Sequence, residues 1–192
     1  KYIKDLTVNF PEVDIFLGTN EYLNIVQIIS DYLSGEKSEQ IVKNDSPYCL
    51  DAIEKGRLIS TPSYSAYIRV ADGCDNFCSY CTIPYIRGRF RSRKMESVIS
   101  EAKDLVKNGV KELIIVAQDI TKYGTDLYGE SKLHELLAKL SKIKDLEWIR
   151  LLYCYPENIT DELIEEINNN PKVCKYIDVP FFINKKDPKH PD

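Results

Sequence analysis

The sequence has few of the features that mark membrane, secreted or nucleic-acid-binding proteins. No apolar run approaches about 18 residues, which argues against a membrane-spanning helix. The amino-terminal part lacks the basic start and apolar centre of a signal peptide. The net charge of −4 gives no overall attraction to nucleic acid. Because hydrophobic residues still make up 43% of the 192 residues, the sequence predicts a soluble protein with a substantial core.

Cysteine is unevenly distributed along the chain. Three of the six cysteines are clustered within eight residues and three stand apart: Cys74, Cys78 and Cys81, against Cys49, Cys154 and Cys174. A secreted disulfide scaffold is usually shorter and richer in cysteine. The spacing therefore predicts a cytoplasmic protein, in whose reducing surroundings clustered cysteines bind metal or take part in chemistry. The scattered cysteines are interpreted as small hydrophobic residues in or near the core.

The clustered cysteines have no fourth cysteine nearby. A structural zinc site normally has four ligands, and the only histidines are His134, on a predicted helix, and His190, in the tail. A ferredoxin-type cubane also has four thiolates. A cubane held by three thiolates keeps one iron open, and that iron can bind a small molecule. A structural zinc knuckle and three unrelated core thiols remain the alternatives.

The hydrophobic pattern predicts strands that alternate with helices. A strand at Val13–Gly18 precedes a helix that Asn20 caps and Gly35 ends. From residue 65 onward the predicted order is strand, helix, strand, helix, strand, helix, strand, over residues 65–71, 95–109, 112–119, 131–143, 148–155, 160–170 and 175–180. We expect Ser131 and Thr160 to cap the second and third of these helices, and both faces of the 112–119 strand to be covered.

This order is typical of an α/β protein with parallel strands. The sheet either lies open or closes into a barrel, and in both arrangements the chemistry sits at the carboxyl ends of the strands. The cysteine cluster follows the 65–71 strand directly. We therefore expect the cysteine loop on the functional edge of the sheet.

The stretch GCDNFCSYC, Gly73–Cys81, resembles the radical S-adenosylmethionine (SAM) signature, Cys-x3-Cys-x-aromatic-Cys. The resemblance implies that Cys74, Cys78 and Cys81 bind a [4Fe–4S] cluster and that SAM occupies its open iron. In this family an electron from the cluster cleaves SAM, and the resulting 5′-deoxyadenosyl radical abstracts hydrogen. A flavodoxin or ferredoxin is the implied electron donor. The implied fold is part of a (β/α)6 half-open barrel, here with about four parallel strands.

The wider sequence resembles the methylthiotransferases of this superfamily, which replace a C–H bond with C–S–CH3. The segments AQDITKYGTDLYG and WIRLLYCYPENITDELI are similar to the branch that modifies the β-carbon of an aspartate in a decoding-centre protein of the small ribosomal subunit. The branch that modifies transfer-RNA adenosine tends to carry Gln-Asn and Ser-His-Pro in the corresponding places. The resemblance implies that this ribosomal protein is the substrate. The tRNA branch remains an alternative.

The resemblance also implies a division of the chain into four parts. Residues 1–38 are similar to the end of the family's N-terminal α/β domain, whose cysteines hold a second [4Fe–4S] cluster and are expected upstream of Lys1. Residues 39–63 are a linker, 64–180 an incomplete radical SAM core, and 181–192 a divergent tail. We expect the chain alone to be inactive. An inactive cluster-binding fragment and a non-enzymatic zinc-binding module are the alternatives to an active enzyme.

Several further residues have a functional and a structural interpretation. Four arginines alternate along the chain, and in an extended conformation they would share one side: Arg87, Arg89, Arg91 and Arg93. The functional interpretation is that they offset the negative charge of the cluster or steer an anionic target. The structural interpretation is a basic edge that faces water. The resemblance places Tyr80 beside the adenine of SAM. It places Gln118 and Asp119 near the amino group of the methionine part of SAM. Loop packing and loop capping are the structural interpretations. His134 is interpreted as a surface residue.

Overall fold

The computed structural model describes residues 3–36, 41–42, 50, 60 and 62–179. The chain divides into two compact units, Lys1–Lys55 and Gly56–Asp192. The predicted tail at 181–192 and Cys49 lie outside the described residues, as does most of the predicted linker, so the four-part division stays a prediction. In the described part of the chain, no helix combines the length and apolarity needed to cross a lipid bilayer.

The described residues of the first unit form two α-helices and a pair of short parallel strands. In chain order these are α1 (Ile3–Asn9), β1 (Phe16–Leu17), α2 (Ile25–Leu33) and β2 (Ile41–Val42). The predicted strand and helix are therefore confirmed. The predicted cap at Asn20 is wrong, because a 3-10 turn at Tyr22–Asn24 comes first and Asn24 is the N-cap. Gly35 ends the helix as predicted, with a φ of 75°.

The second unit is built on a three-stranded parallel sheet. Its strands are β3 (Ser65–Arg69), β6 (Glu112–Val116) and β7 (Trp148–Leu151), in the spatial order β3-β6-β7. The connection from β3 to β6 contains α4 (Met95–Lys107), and the connection from β6 to β7 contains α6 (Leu133–Leu140). Since a parallel pair needs a long crossover, these two helices fit the α/β arrangement that the sequence predicts.

Smaller elements surround the cysteine loop and the end of β6. β4 (Ala71–Asp72) pairs in antiparallel fashion with β5 (Arg91–Ser92), and α3 (Ile83–Arg87) lies between them in sequence. The short helix α5 (Thr125–Tyr128) follows β6. The predicted cap at Ser131 is wrong. Its hydroxyl donates to the carbonyl oxygen of Thr121 at 2.8 Å, and Lys132 is the N-cap of α6.

The chain after β7 departs from the predicted fourth strand. α7 (Asp161–Asn169) forms as predicted, and the hydroxyl of Thr160 accepts from the Leu163 amide at 3.3 Å. In residues 171–179, only Val173 makes a parallel bridge, to Ile149 of β7. Asp178 contacts the segment after β7, where its side chain accepts from the Tyr153 amide at 3.0 Å and its carbonyl accepts from the Cys154 amide at 2.8 Å. The described residues therefore hold three strands of the sheet, where about four were expected.

Alternation along the strands places the core on one face of this sheet. Fully buried residues of the strands meet fully buried residues of the helices: Ala66, Ile68, Leu113, Ile115, Ile149 and Leu151 against Val98, Ala102, Leu133, Leu136, Leu137 and Leu140. The opposite face is only partly covered, since Arg69, Ile114 and Val116 are half-buried. β6 therefore has one fully covered face and one partly covered face, on which Val116 borders a cavity.

Candidate metal and cofactor site

The cysteine loop is closed at its base by the β4–β5 pair. Asp72 is opposite Arg91 in this pair, and Gly73 follows at once with a φ of 80°. A Cβ on Gly73 would lie 2.2 Å from the carbonyl oxygen of Arg89, so only glycine allows the two backbones to approach this closely. The amide of Cys74 then donates to the carbonyl of Gly88 at 3.2 Å. These contacts fix the first cysteine at the base of the loop.

Gly73→Ala is expected to lose most of the chain's capacity for iron, because the added Cβ must displace the backbone that positions Cys74. Gly129→Ala is the matched control, since Gly129 also has a left-handed φ of 81° but has no neighbour within 4 Å of a Cβ. The control should cost about 1–2 kcal/mol of conformational strain and leave iron binding intact. Iron content and visible absorbance after anaerobic reconstitution measure both variants. Equal losses in the two variants would contradict the prediction.

The three clustered cysteines line one cavity. Cys74 is 7% exposed, and Cys78 and Cys81 are half-buried. Phe77, with a φ of 45°, turns the loop between the first two cysteines, and the Cys81 amide donates to the Cys78 carbonyl at 2.9 Å. The cavity measures about 420 Å³ and is lined by Arg69, Cys74, Phe77, Cys78, Tyr80, Cys81, Ile83, Pro84, Val116, Ala117, Gln118, Tyr153 and Tyr155. This volume lies in the usual range for small-molecule sites.

The cavity lies where the sheet strands end. β3 contributes Arg69, the residues at the end of β6 contribute Val116 to Gln118, and the segment after β7 contributes Tyr153 and Tyr155. The expectation that the cysteine loop stands on the carboxyl edge of the sheet is confirmed. Within the described residues, no three His, Cys, Asp or Glu side chains are grouped so as to hold a single metal ion. The thiols instead face a space that a larger group can enter.

Burial raises the pKa of two groups at the cavity, the Cys74 thiol and the Tyr155 hydroxyl. It raises the pKa of the Cys74 thiol, while a hydrogen bond from the Asn76 amide, at 3.5 Å from the sulfur, acts in the opposite direction. Burial first, and then the charge of Cys78, raise the pKa of the Tyr155 hydroxyl to about 12. Both groups are therefore protonated at neutral pH, and coordination to a metal would lower the pKa of the Cys74 thiol.

A buried carboxylate ties the cysteine loop to the strand ends. Asp119, 1% exposed, accepts from the side-chain amides of Asn76 and Asn158, both at 3.3 Å, and from the amide and hydroxyl of Thr121. The ammonium of Lys122 lies 3.9 Å from Asp119 and also donates to the side chain of Asn76. Asp119 therefore has the loop-capping role. It does not line the cavity, unlike its neighbour Gln118.

The structure brings both predicted cofactor-binding residues to the cavity. Tyr80 lines it with an exposed ring, 63% accessible. The side-chain oxygen of Gln118 is buried and accepts no hydrogen bond from the described residues. A buried acceptor of this kind is costly without a partner, so the site fits a ligand that brings a donor such as an ammonium group.

Sequence reasoning missed several residues of the site. Asn76, Asn158 and Lys122 look like ordinary loop residues, and only the fold brings them to Asp119. The cavity residues Tyr153 and Tyr155 follow β7 at the same edge of the sheet. Their position just after a parallel strand is the signal that could have found them.

Two of the scattered cysteines, Cys154 and Cys174, do not line the cavity. Cys154 is 1% exposed, and burial raises the pKa of its thiol to about 12, so it is protonated and shielded as predicted. Cys174 is half-buried beside β7, where its amide donates to the Ile149 carbonyl at 2.9 Å. His134 lies on α6, half-buried beside Glu135.

The four alternating arginines do not share one side of the chain. Arg87 ends α3, and Arg93 is only 2% exposed, with its guanidinium 2.6 Å from the carboxylate of Glu101. Arg89 is the largely exposed member, and it pairs with Asp75 at 2.7 Å. The chain turns at Gly88 and pairs through β5, so the extended conformation behind the prediction does not form.

A second cluster of arginines surrounds Asp72, which is fully buried. Arg69, Arg87 and Arg91 place guanidinium nitrogens 3.8, 3.6 and 3.9 Å from its carboxylate. Among the described residues this cluster combines three positive charges with one negative charge. Arg69 is the member that also lines the cavity.

Comparison with known proteins gives one family match and a set of close relatives. The model of the radical SAM superfamily matches residues 68–183. A curated relative from Clostridium botulinum strain Hall, ribosomal protein uS12 methylthiotransferase RimO, is 52% identical over 94% of this chain. The protein of the same name from Clostridium perfringens strain SM101 is 53% identical over 94%. The chain spans 40% of the length of each of these relatives.

Solved structures give a more distant likeness. The radical SAM methyltransferase TsrM from Kitasatospora setae, solved with tryptophan and a SAM analogue, has a TM-score of 0.48 and 18% identity, and the match covers 66% of this chain and 25% of that one. The family match rests on the sequence, and it includes the end of β3, the cysteine loop, β6, β7 and the residues that line the cavity. Because the matched residues make up more than half of its length, the chain belongs to the radical SAM superfamily.

Proposed function

We propose that this chain is the radical SAM portion of a methylthiotransferase that modifies the β-carbon of an aspartate in ribosomal protein uS12. The observation that carries the proposal is the convergence of Cys74, Cys78 and Cys81 on one cavity at the carboxyl edge of the sheet. The likeness to uS12 methylthiotransferases, at 52% identity over 94% of the chain, supports the substrate. A flavodoxin or ferredoxin in the cytoplasm is the proposed source of electrons.

The three thiolates are the proposed ligands of a [4Fe–4S] cluster. Three protein ligands leave one iron open, and SAM is the ligand proposed for that position. Such a cluster would supply the electron for reductive cleavage of SAM, which leads to hydrogen abstraction. The Asn76 amide donates to the Cys74 sulfur, and such hydrogen bonds stabilise negative charge on a ligand sulfur. Asp119 holds the same asparagine by its side chain, so the carboxylate positions the loop from outside the cavity lining.

Two cavity residues are the proposed SAM contacts. The buried oxygen of Gln118 is placed to accept a hydrogen bond from the ammonium group of SAM, which would satisfy an acceptor that the described residues leave without a donor. The ring of Tyr80, between two cysteines of the loop, offers a surface for the adenine.

The remaining walls of the cavity protect a reactive species. Ile83, Pro84, Val116 and Ala117 present apolar groups, and Phe77 adds an aromatic one. An apolar wall excludes water and limits side reactions of a radical. Since the protein's main contribution to such chemistry is positioning and shielding, the enclosure suits hydrogen abstraction from an ordered substrate.

Deuterium transfer tests this proposal without requiring a sulfur donor. The anaerobically reconstituted chain is incubated with SAM, dithionite and uS12 whose aspartates carry deuterium at the β-carbon. We expect Cys78-dependent cleavage of SAM and deuterium in the 5′-deoxyadenosine, measured by mass spectrometry. A second assay measures the mass gain of one methylthio group on uS12, and we expect none, because the chain alone is proposed to be inactive in the complete reaction.

Cys78→Ala and uS12 with unlabelled aspartate are the controls for this experiment. Cleavage of SAM without deuterium transfer would contradict the proposed substrate while leaving the radical SAM chemistry intact. A reconstituted chain that holds zinc and shows no visible absorbance near 400 nm would contradict the proposed cluster.

A further inference from the structure

Arg69 places a positive charge in an otherwise uncharged cavity. Among the described residues that line this space, Arg69 is the one with a permanently charged side chain. The other lining side chains are apolar, aromatic, amide or thiol groups. Its side chain is 27% exposed. Since a low-dielectric wall strengthens the attraction between opposite charges, a guanidinium here favours an anionic ligand.

The position of Arg69 follows from strand alternation. Ala66 and Ile68 of β3 are fully buried against the helices, so Tyr67 and Arg69 lie on the opposite face, and Arg69 also lines the cavity. Arg69 is the last residue of β3, two positions before β4 begins. The guanidinium is therefore carried by a strand of the rigid sheet, which suits it to position a ligand.

Arg69 shares its carboxylate neighbour with two other arginines. Asp72 lies 3.8 Å from Arg69, 3.6 Å from Arg87 and 3.9 Å from Arg91. These separations exceed those of short charge-assisted hydrogen bonds. Of the three arginines, Arg69 is the one that lines the cavity.

We propose that Arg69 is the residue that selects the substrate's carboxylate. The inference rests on the proposed function, in which the reacting carbon of aspartate is bonded directly to a carboxylate carbon. A guanidinium can hold a carboxylate through two parallel hydrogen bonds, which fixes its orientation as well as its position. Anchoring that group orients the C–H bond one carbon away, and asparagine, which carries no charge, loses most of the attraction.

SAM also carries a carboxylate, so the test separates the two sources. Overlapping uS12 peptides are synthesised with aspartate and with asparagine at the same position, and their affinities for the reconstituted chain are measured. Affinities for SAM and decarboxylated SAM are measured in parallel. The variants are Arg69→Gln, Arg69→Lys and Arg87→Gln, the last of which removes a charge beside Asp72 from a residue outside the cavity lining.

We expect the wild-type chain to prefer one aspartate peptide over its asparagine form. Arg69→Gln should weaken binding of that aspartate peptide about tenfold or more, and change binding of the asparagine peptide less than about twofold. Arg69→Lys should keep part of the preference, because it retains the charge but loses the paired hydrogen bonds. Arg87→Gln should keep the preference. An unchanged affinity for decarboxylated SAM in Arg69→Gln would show that the site still folds.

Three outcomes would overturn the inference. If Arg69→Gln weakens binding of SAM but not of decarboxylated SAM, and the aspartate preference persists, the arginine serves the carboxylate of SAM instead. If the wild type prefers the aspartate peptide, and Arg69→Gln changes the affinity for neither that peptide nor SAM, the inference fails while the proposed substrate stands. A wild-type chain that binds neither peptide, or that binds both equally, would contradict the inference. Absence of deuterium transfer from aspartate in the separate assay would identify the proposed function as the failure.

Discussion

Cys78→Ala is expected to leave the reconstituted chain with almost no bound iron. The three loop thiols line one cavity, and each is the proposed ligand of a different iron of the cubane. With one thiolate gone, two protein ligands remain and the cluster loses the geometry that three provide. Iron should fall from about four atoms per chain to near zero, and the visible absorbance should disappear. Chemical iron analysis and absorption spectroscopy measure both quantities.

Cys174→Ala is the matched control for this loss. Cys174 is half-buried, like Cys78, but it lies beside β7 and does not line the cavity. It should retain nearly the full iron content of the wild-type chain. Equal iron loss in the two variants would show that the proposed ligand set is wrong. Circular dichroism of each variant checks that the fold has survived the substitution.

Arg93→Gln is expected to lower the free energy of unfolding of the second unit by about 3–5 kcal/mol. The guanidinium is 2% exposed and lies 2.6 Å from the Glu101 carboxylate and 2.7 Å from the Arg69 carbonyl oxygen. Glutamine would leave Glu101 buried without its charge partner. Removing one member of a buried pair costs more than the pair contributes, because the remaining charge is still desolvated.

Arg89→Gln applies the same substitution to an exposed pair. The side chain of Arg89 is 79% exposed, and it contacts Asp75 at 2.7 Å. Water and salt screen such a pair, so this variant should lose less than about 1 kcal/mol. Urea unfolding followed by the fluorescence of Trp148, the single tryptophan, reports on the second unit. Similar losses in the two variants would contradict the stabilising role assigned to the Arg93 pair.

Local patterns in the sequence predicted most of the secondary structure. The apolar residues of α4 and α6 recur at helical spacing, and in the structure both helices bury them against the sheet. Thr160 was predictable as a cap because its hydroxyl serves an amide three residues away. Ser131 has the same chemistry, but its hydroxyl bonds to Thr121 ten residues earlier, and no local rule reveals that partner.

The missed strand after α7 has a comparable cause. The segment KYIDVP has the residue types of a strand, and its propensity led to the expectation of one. In the structure, Asp178 satisfies two successive amides of the Tyr153–Cys154 segment with its side chain and its carbonyl. Strand formation depends on the neighbouring segment, so propensity alone could not decide it.

The sequence by itself determined the cysteine spacing, the alternation of strands and helices, and the place of the loop after the first strand of the sheet. These are local properties, because residue type and spacing along the chain fix them. Only the tertiary structure decided which charges are buried and which face the cavity. Arg93 pairs with Glu101 inside the protein, Arg89 remains at the surface, and Arg69 lines the cavity together with the cysteines and with residues that follow β6 and β7. Burial and proximity depend on segments that are distant in sequence, and only the packed fold brings those segments together.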